Sequence, residues 1–127
     1  MKLKIKKINV KSDSRGWLSE IIRPEDIDNI QFGQLFLTVA YPGEVRGNHY
    51  HKRKTEWYCV IRGKAILTMV SNKTRERKET IMGENKLTLV EIPPNYFHSI
   101  KNVGEKEMML LVYVNESFNS MDADTYF

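Results

Sequence analysis

Cysteine is almost missing from this sequence: among 127 residues Cys59 stands alone, so no internal disulfide can form. That excludes a disulfide-stapled secreted scaffold and sets a reducing, cytoplasmic location as the expectation. Long apolar runs are missing as well. Spanning a bilayer takes roughly 18 to 20 apolar residues, and the longest candidate here runs only from Met108 to Val114. The opening residues MKLKIKKINV contain no apolar core of the kind a secretory signal needs. Helical periodicity is equally scarce, with no stretches of about 10 to 15 helical residues alternating with strands, so βαβ units are excluded. Histidine occurs only three times, a scarcity that gives each one weight.

What is present is enough for one domain spanning 1–127. With 41% hydrophobic and 10% aromatic residues, the chain can bury a single core. The formal charge is +4 with a pI near 9.2, but the basic residues are scattered or sit in apparent turns such as Lys52-Arg53-Lys54. They read as solvated loops rather than a nucleic-acid or membrane surface, and they leave room for a phosphorylated small molecule.

Short apolar or alternating segments at 3–10, 34–41, 57–61, 65–70, 87–92 and 108–114 predict strands. Turn signals separate them, among them Tyr41-Pro42-Gly43, Arg62-Gly63-Lys64, Gly83-Glu84-Asn85 and Pro93-Pro94-Asn95. Residues 23–29 hold the one candidate helical turn, with Pro24 near its start. The class is all-β, and periodicity alone leaves a sandwich, a closed barrel and a jelly roll open.

Chemistry concentrates in two places. His49 and His51 are two residues apart, so on an extended strand both imidazoles point to one side. Glu56 follows five residues later, an odd interval that a turn through the polar residues 52–55 can correct, returning Glu56 on a neighbouring strand. Residues 43–63 resemble the first cupin motif, G-x5-H-x-H-x4-E-x6-G, at every fixed position. Residues 93–102 resemble the second, P-x-G-x2-H-x3-N, with Asn95 where glycine is usual and His98 as its histidine. Asparagine tolerates a left-handed turn, so Asn95 is compatible with the motif. The resemblance implies a cupin double-stranded β-helix, a jelly-roll barrel, in which His49, His51, Glu56 and His98 hold a divalent metal. Such a donor set suits zinc first, and also iron, manganese or nickel.

Two further segments narrow the chemistry. Residues 13–20 resemble the D-x-R-G-x-[FL]-x-E segment of dTDP-4-dehydrorhamnose 3,5-epimerases, and residues 42–50 resemble their P-G-x-x-R-G-x-H-[YWF] segment. The sequence is more similar still to the C-terminal cupin domain of bifunctional capsular-polysaccharide enzymes, which join a short-chain reductase to a sugar-nucleotide 3-epimerase. It shares R-G-N-H-x-H, I-P-P-x-Y-x-H, N-V-G-E, N-E-x-F and the terminal D-T-Y-F.

That resemblance implies proton abstraction beside the ketone of a nucleotide-linked 4-keto-hexose, in polysaccharide biosynthesis. His49 matches the family's base, but as a metal ligand it could not accept a proton at the same nitrogen. Both roles stay open. Tyr113 and Tyr96, ahead of Tyr50 and Tyr58, are the candidates for returning the proton. Arg15, Arg46 and Asn48 are the candidate substrate contacts, the arginines because guanidinium groups bind phosphate in bidentate fashion; for both arginines a structural ion pair with Asp13, Glu20 or Glu44 is the plainer alternative. Trp17 is expected in the core, and Cys59 is read as inert. The implied partners are the nucleotide-sugar substrate, a second copy in a homodimer and a separate short-chain reductase. Other uses of the same site are a non-catalytic sugar-binding module and a dioxygenase.

Overall fold

In the computed structural model of the protein, which describes residues 1–28 and 32–127, eleven strands build two facing antiparallel sheets and a small hairpin. The strands are β1 (Lys4–Lys7), β2 (Lys11–Asp13), β3 (Gly16–Leu18), β4 (Gln34–Ala40), β5 (Val45–His49), β6 (Glu56–Arg62), β7 (Lys64–Ser71), β8 (Arg77–Gly83), β9 (Thr88–Ile92), β10 (Tyr96–Asn102) and β11 (Met108–Val114). One sheet has the order β1-β9-β6-β11-β4 and the other β5-β10-β7-β8, while β2 and β3 pair only with each other. This is the jelly roll of the cupins.

The hydrophobic pattern dictates which faces meet. Along β7 buried residues alternate strictly with partly exposed ones, so Ala65, Leu67 and Met69 point inward and one face is left to solvent. The run Glu56–Val60 on β6 is buried throughout, because both faces of its sheet are covered. Its even-numbered side chains, Glu56, Tyr58 and Val60, share the inner face; Tyr58 and Val60 pack there with Val112 of β11 and Leu67 and Ile100 of the facing sheet. Its odd-numbered Trp57 and Cys59 lie on the outer face with Ile8, Leu89 and Tyr113, against Ile21, Ile22 and Ile27.

All six sequence-predicted strands form, and β11 keeps its predicted bounds. Strands β2, β3, β5, β8 and β10 lay outside those predictions. Strand β8, RKETIMG, is polar because it is an edge with its first three residues exposed. The candidate turn at 23–29 is a 3-10 helix over Pro24–Ile27 with Pro24 at its first position; Asn29 lies outside the described residues. No helix among the described residues is long and apolar enough to cross a membrane. Trp17 departs from expectation. It lies on the hairpin at 63% exposure, because β2 and β3 join neither sheet and leave their side chains outside the core.

Candidate metal centre

Four side chains converge at one end of the barrel. The donor atoms of His49, His51, Glu56 and His98 all lie within 4.8 Å of one another. His49 ends β5 and pairs directly with His98 on β10. Between them the register shifts, since Ser99 opposes Gly47 and Asn48 is left over as a bulge. Gly47 and Asn48 both have positive φ, 87° and 59°. A Cβ on Gly47 would lie 3.0 Å from the His98 carbonyl oxygen, so glycine permits the close approach of β5 to β10. The bulge thereby aims His49 at His98.

Glu56 arrives from elsewhere than expected. It begins β6, which belongs to the five-stranded sheet, so it comes from the facing sheet rather than from a strand beside β5. The turn through 52–55 that makes the crossing is held by the far end of the chain. Asp124 Oδ1 accepts from the Lys52 amide at 3.0 Å, and its Oδ2 accepts from the amides of Arg53 and Lys54 at 3.0 and 3.1 Å. Lys54, expected on a solvated turn, is 5% exposed and donates to the Ala123 carbonyl. In the second motif Asn95 adopts φ 66°, which is the left-handed turn anticipated for it; its amide donates to the His51 carbonyl at 2.7 Å.

Hydrogen bonds fix two of the imidazoles. Nδ1 of His51 donates to the Asp124 carbonyl at 2.7 Å, and Nδ1 of His98 donates to the Tyr96 carbonyl at 3.1 Å. A carbonyl can only accept, so each ring carries its proton on Nδ1, and in the neutral form each Nε2 offers a lone pair. Both Nε2 atoms lie 3.1 Å from the same oxygen, Oε1 of Glu56. Two lone pairs facing a carboxylate repel unless a cation or additional protons intervene. His98 is 1% exposed, and its Nε2 has no aligned hydrogen-bond partner despite that short distance. We read the contact as proximity without a hydrogen bond. A tetrahedral zinc site with bonds near 2.0–2.2 Å places its donors about 3.4 Å apart, so the His51–Glu56–His98 spacing fits a metal.

Without an ion, protons on the imidazole nitrogens that face Glu56 set the electrostatics of the cluster. Burial opposes ionisation of Glu56, but the two imidazoles outweigh it and hold the carboxyl down at about 2. Burial likewise opposes charge on His51, yet Glu56 raises its pKa above the ordinary value. His49 is half-buried, and burial together with His98 and His51 pushes it down to about 4. Its ring nitrogens have no hydrogen-bond partner among the described residues; its ring lies beside those of His51, His98 and Phe127.

The remaining sequence candidates are not all brought here. Tyr113 projects from the outer face of the five-stranded sheet, against Trp57 and Phe32, because it is one residue out of phase with the inward-facing Val112 and Val114. That parity removes it from the barrel interior. Tyr96 shares the inner face of β10 with His98, two residues on. Tyr58, ranked below it in sequence, is buried edge-on to His98 with ring centroids 5.8 Å apart, and its even spacing from Glu56 was the available signal. Burial raises the Tyr58 hydroxyl well above the ordinary tyrosine value. Tyr50 stacks on Tyr126.

Arg15 lies exposed on the hairpin and pairs with Asp13 at 2.8 Å, the plainer of its two readings. Arg46 donates twice to the Val39 carbonyl, at 3.1 and 2.8 Å, and forms no ion pair among the described residues. Asn48 is exposed in the bulge, where its left-handed backbone accounts for it. Buried Cys59 has its thiol pushed up to about 11 by burial, in keeping with an inert role. Asp124 escaped the sequence reading as a site residue. Its only sign there was its place in the terminal D-T-Y-F.

Comparison with known proteins places this geometry. Residues 11–126 match the family model described as the polysaccharide biosynthesis C-terminal domain. Over 115 residues the chain is 36% identical to the UDP-2-acetamido-2,6-beta-L-arabino-hexul-4-ose reductase of Pseudomonas aeruginosa, a match covering 91% of this chain and 30% of that protein. It is 32% identical to the capsular polysaccharide assembling protein CapF from Staphylococcus aureus, with a TM-score of 0.74 over 94% of this chain and 34% of that one. The chain thus spans about a third of the length of these relatives. The fold is shared at 16% identity with ChmJ, a 3'-monoepimerase from Streptomyces bikiniensis solved with dTDP-quinovose, at a TM-score of 0.84 over 97% of this chain and 67% of that one. The chain belongs to the polysaccharide biosynthesis C-terminal domain family, and it shares its fold with a dTDP-sugar 3'-monoepimerase.

Proposed function

We propose that this chain is an epimerase module acting on a nucleotide-linked 4-keto-hexose in polysaccharide biosynthesis, inverting the carbon at position 3 beside the ketone. The observation that carries the reading is the buried cluster, in which His51, Glu56 and His98 present three donors toward one point while His49 stands beside them without a hydrogen-bond partner. Three protein ligands and an open position are the pattern of catalytic rather than structural zinc sites. His51, Glu56 and His98 are therefore the proposed ligands of a divalent metal, zinc by donor type. When bound, it supplies Lewis acidity to a keto oxygen.

With those three ligands spent on the metal, His49 becomes the proposed base. It is neutral near pH 7, its pKa having been pushed down to about 4, so its nitrogen is available to take the C–H proton. Tyr96, on the same face of β10 as His98, is the proposed donor that returns a proton to the opposite face. The proton count balances and no electron is transferred. Arg46 keeps guanidinium donors beyond those bound to the Val39 carbonyl and is the proposed diphosphate contact. A short-chain reductase acting on the product is the proposed partner; among the described residues no βαβ unit is present to hold a nicotinamide cofactor.

The deciding experiment incubates the metal-replete protein with nucleotide-linked 4-keto-hexoses in deuterium oxide and follows exchange at C3 and C5. Exchange at C3 is expected, and His49→Asn should keep its metal while losing about 10²–10⁴-fold in exchange rate. Absence of exchange at either carbon with every substrate overturns the epimerase reading. Loss of metal in His49→Asn would make His49 a fourth ligand instead.

A further inference from the structure

We propose that the carboxyl-terminal residues Asp124–Phe127 are the positioning element of the metal site, and that Asp124 sets the tautomer and aim of His51. Asp124 acts through His51 and is a positioning residue, not a catalytic one. The inference rests on the metal-site reading above and deepens it.

Asp124 is 3% exposed and uses both its carboxylate and its carbonyl on one short stretch of chain. The carboxylate accepts the amides of Lys52, Arg53 and Lys54, the three residues immediately after His51. The carbonyl accepts Nδ1–H of His51 itself, at 2.7 Å. A left-handed backbone, φ 49°, lets the side chain and carbonyl of one residue face the same loop. Just before His51, Tyr50 and Tyr126 exchange two backbone hydrogen bonds of 2.9 Å each. Residues 50–54 are therefore gripped on both sides of His51 by a segment some seventy positions later in the chain.

The chemical consequence concerns one proton. An isolated imidazole carries its proton on either nitrogen, and a metal can bind Nε2 only when that nitrogen is bare. Donation from Nδ1 to a fixed carbonyl selects the tautomer before any ion arrives, which is how outer partners raise metal affinity. His98 obtains the same setting from the Tyr96 carbonyl, only two residues away on its own strand. His51 has no such local acceptor and depends on the tail. His98 is thus an internal control.

The test is Asp124→Ala, read in two ways: the variant keeps the backbone carbonyl that His51 uses but lacks the carboxylate that anchors that carbonyl against residues 52–54. In metal-free protein, long-range proton–nitrogen NMR should show His51 with Nδ1 protonated in the wild type and a mixture of tautomers in the variant, while His98 is unchanged in both. Competition with a chelator should show zinc bound about 10–100-fold more weakly by the variant. Should Asp124→Ala fail to fold, Asp124→Asn carries the same test, because it tolerates the left-handed backbone and keeps one of the two acceptor oxygens. An unchanged His51 tautomer together with zinc affinity within twofold of wild type overturns the proposal. Failure of the wild type itself to bind zinc overturns the metal-site reading instead, and the NMR comparison still decides whether Asp124 sets the His51 ring.

Discussion

Within the cluster, protonation of single imidazoles links stability to pH, and two of them act in opposite senses. His49 has a folded pKa of about 4 against an ordinary 6.5, chiefly because burial disfavours its charge. The unfolded chain then binds the extra proton between those values, so His49's contribution is complete above about pH 6.5 and is lost as pH falls toward 4. His51 is raised by Glu56 against its burial, so its contribution is complete below about 6.5 and is lost as pH rises through its folded value. Urea unfolding of the metal-free protein should therefore show the wild type losing stability relative to His49→Asn as pH falls from 6.5 to 4. A constant difference across that range would refute the burial argument for His49. The clustered side chains were legible in sequence, His49 and His51 from their spacing and Glu56 and His98 through the resemblance to the two cupin motifs. Tyr113 was misplaced because a phase of one residue decides which face of β11 it occupies, and nothing in the run Met108–Val114, apolar on both faces, reveals that phase.

Elements carry the site through their irregularities more than their regular parts. Strand β5 delivers His49 to His98 only because Gly47 and Asn48 take positive φ and absorb one residue of register against β10. Alanine at 47 would be strained at φ 87° and would press its Cβ onto the His98 carbonyl. Gly47→Ala should cost about 1–3 kcal/mol in urea unfolding. It should also weaken zinc binding, since relief of the clash separates the strands that carry the two histidines. Full stability together with full zinc affinity would show that the bulge does not set the site. Sequence reading recovered the regular strands, whose alternation is local, and set His49 and His51 together on an extended strand, whereas β5 ends at His49 and His51 lies beyond it. It also placed Glu56 on a strand beside β5, since the crossing between sheets is fixed by Asp124, remote in sequence, and leaves no local mark.

The whole molecule has two unequal outer edges on its five-stranded sheet. One is β1, rich in lysine, with Lys4 and Lys7 exposed, which suits an edge that resists pairing. The other is β4, seven residues long, where Leu35, Phe36 and Leu37 are 53%, 37% and 52% exposed. An apolar edge of that length either aggregates or is covered by a partner. We propose that a second copy covers it, which would make the functional unit a homodimer and locate the contact away from the lysine strand. Light scattering after size exclusion should then give twice the 14.9 kDa chain mass. Leu37→Lys should return the mass to that of one chain while leaving zinc binding intact, because Leu37 is exposed on the edge strand and pairs with Leu111, which opposes Cys59 rather than Glu56. A monomer in the wild type, or a dimer that survives Leu37→Lys, would remove β4 as the interface. If the dimer instead broke on charging β1, the lysine edge would be the exchanged strand, and the exposed leucines of β4 would need another explanation.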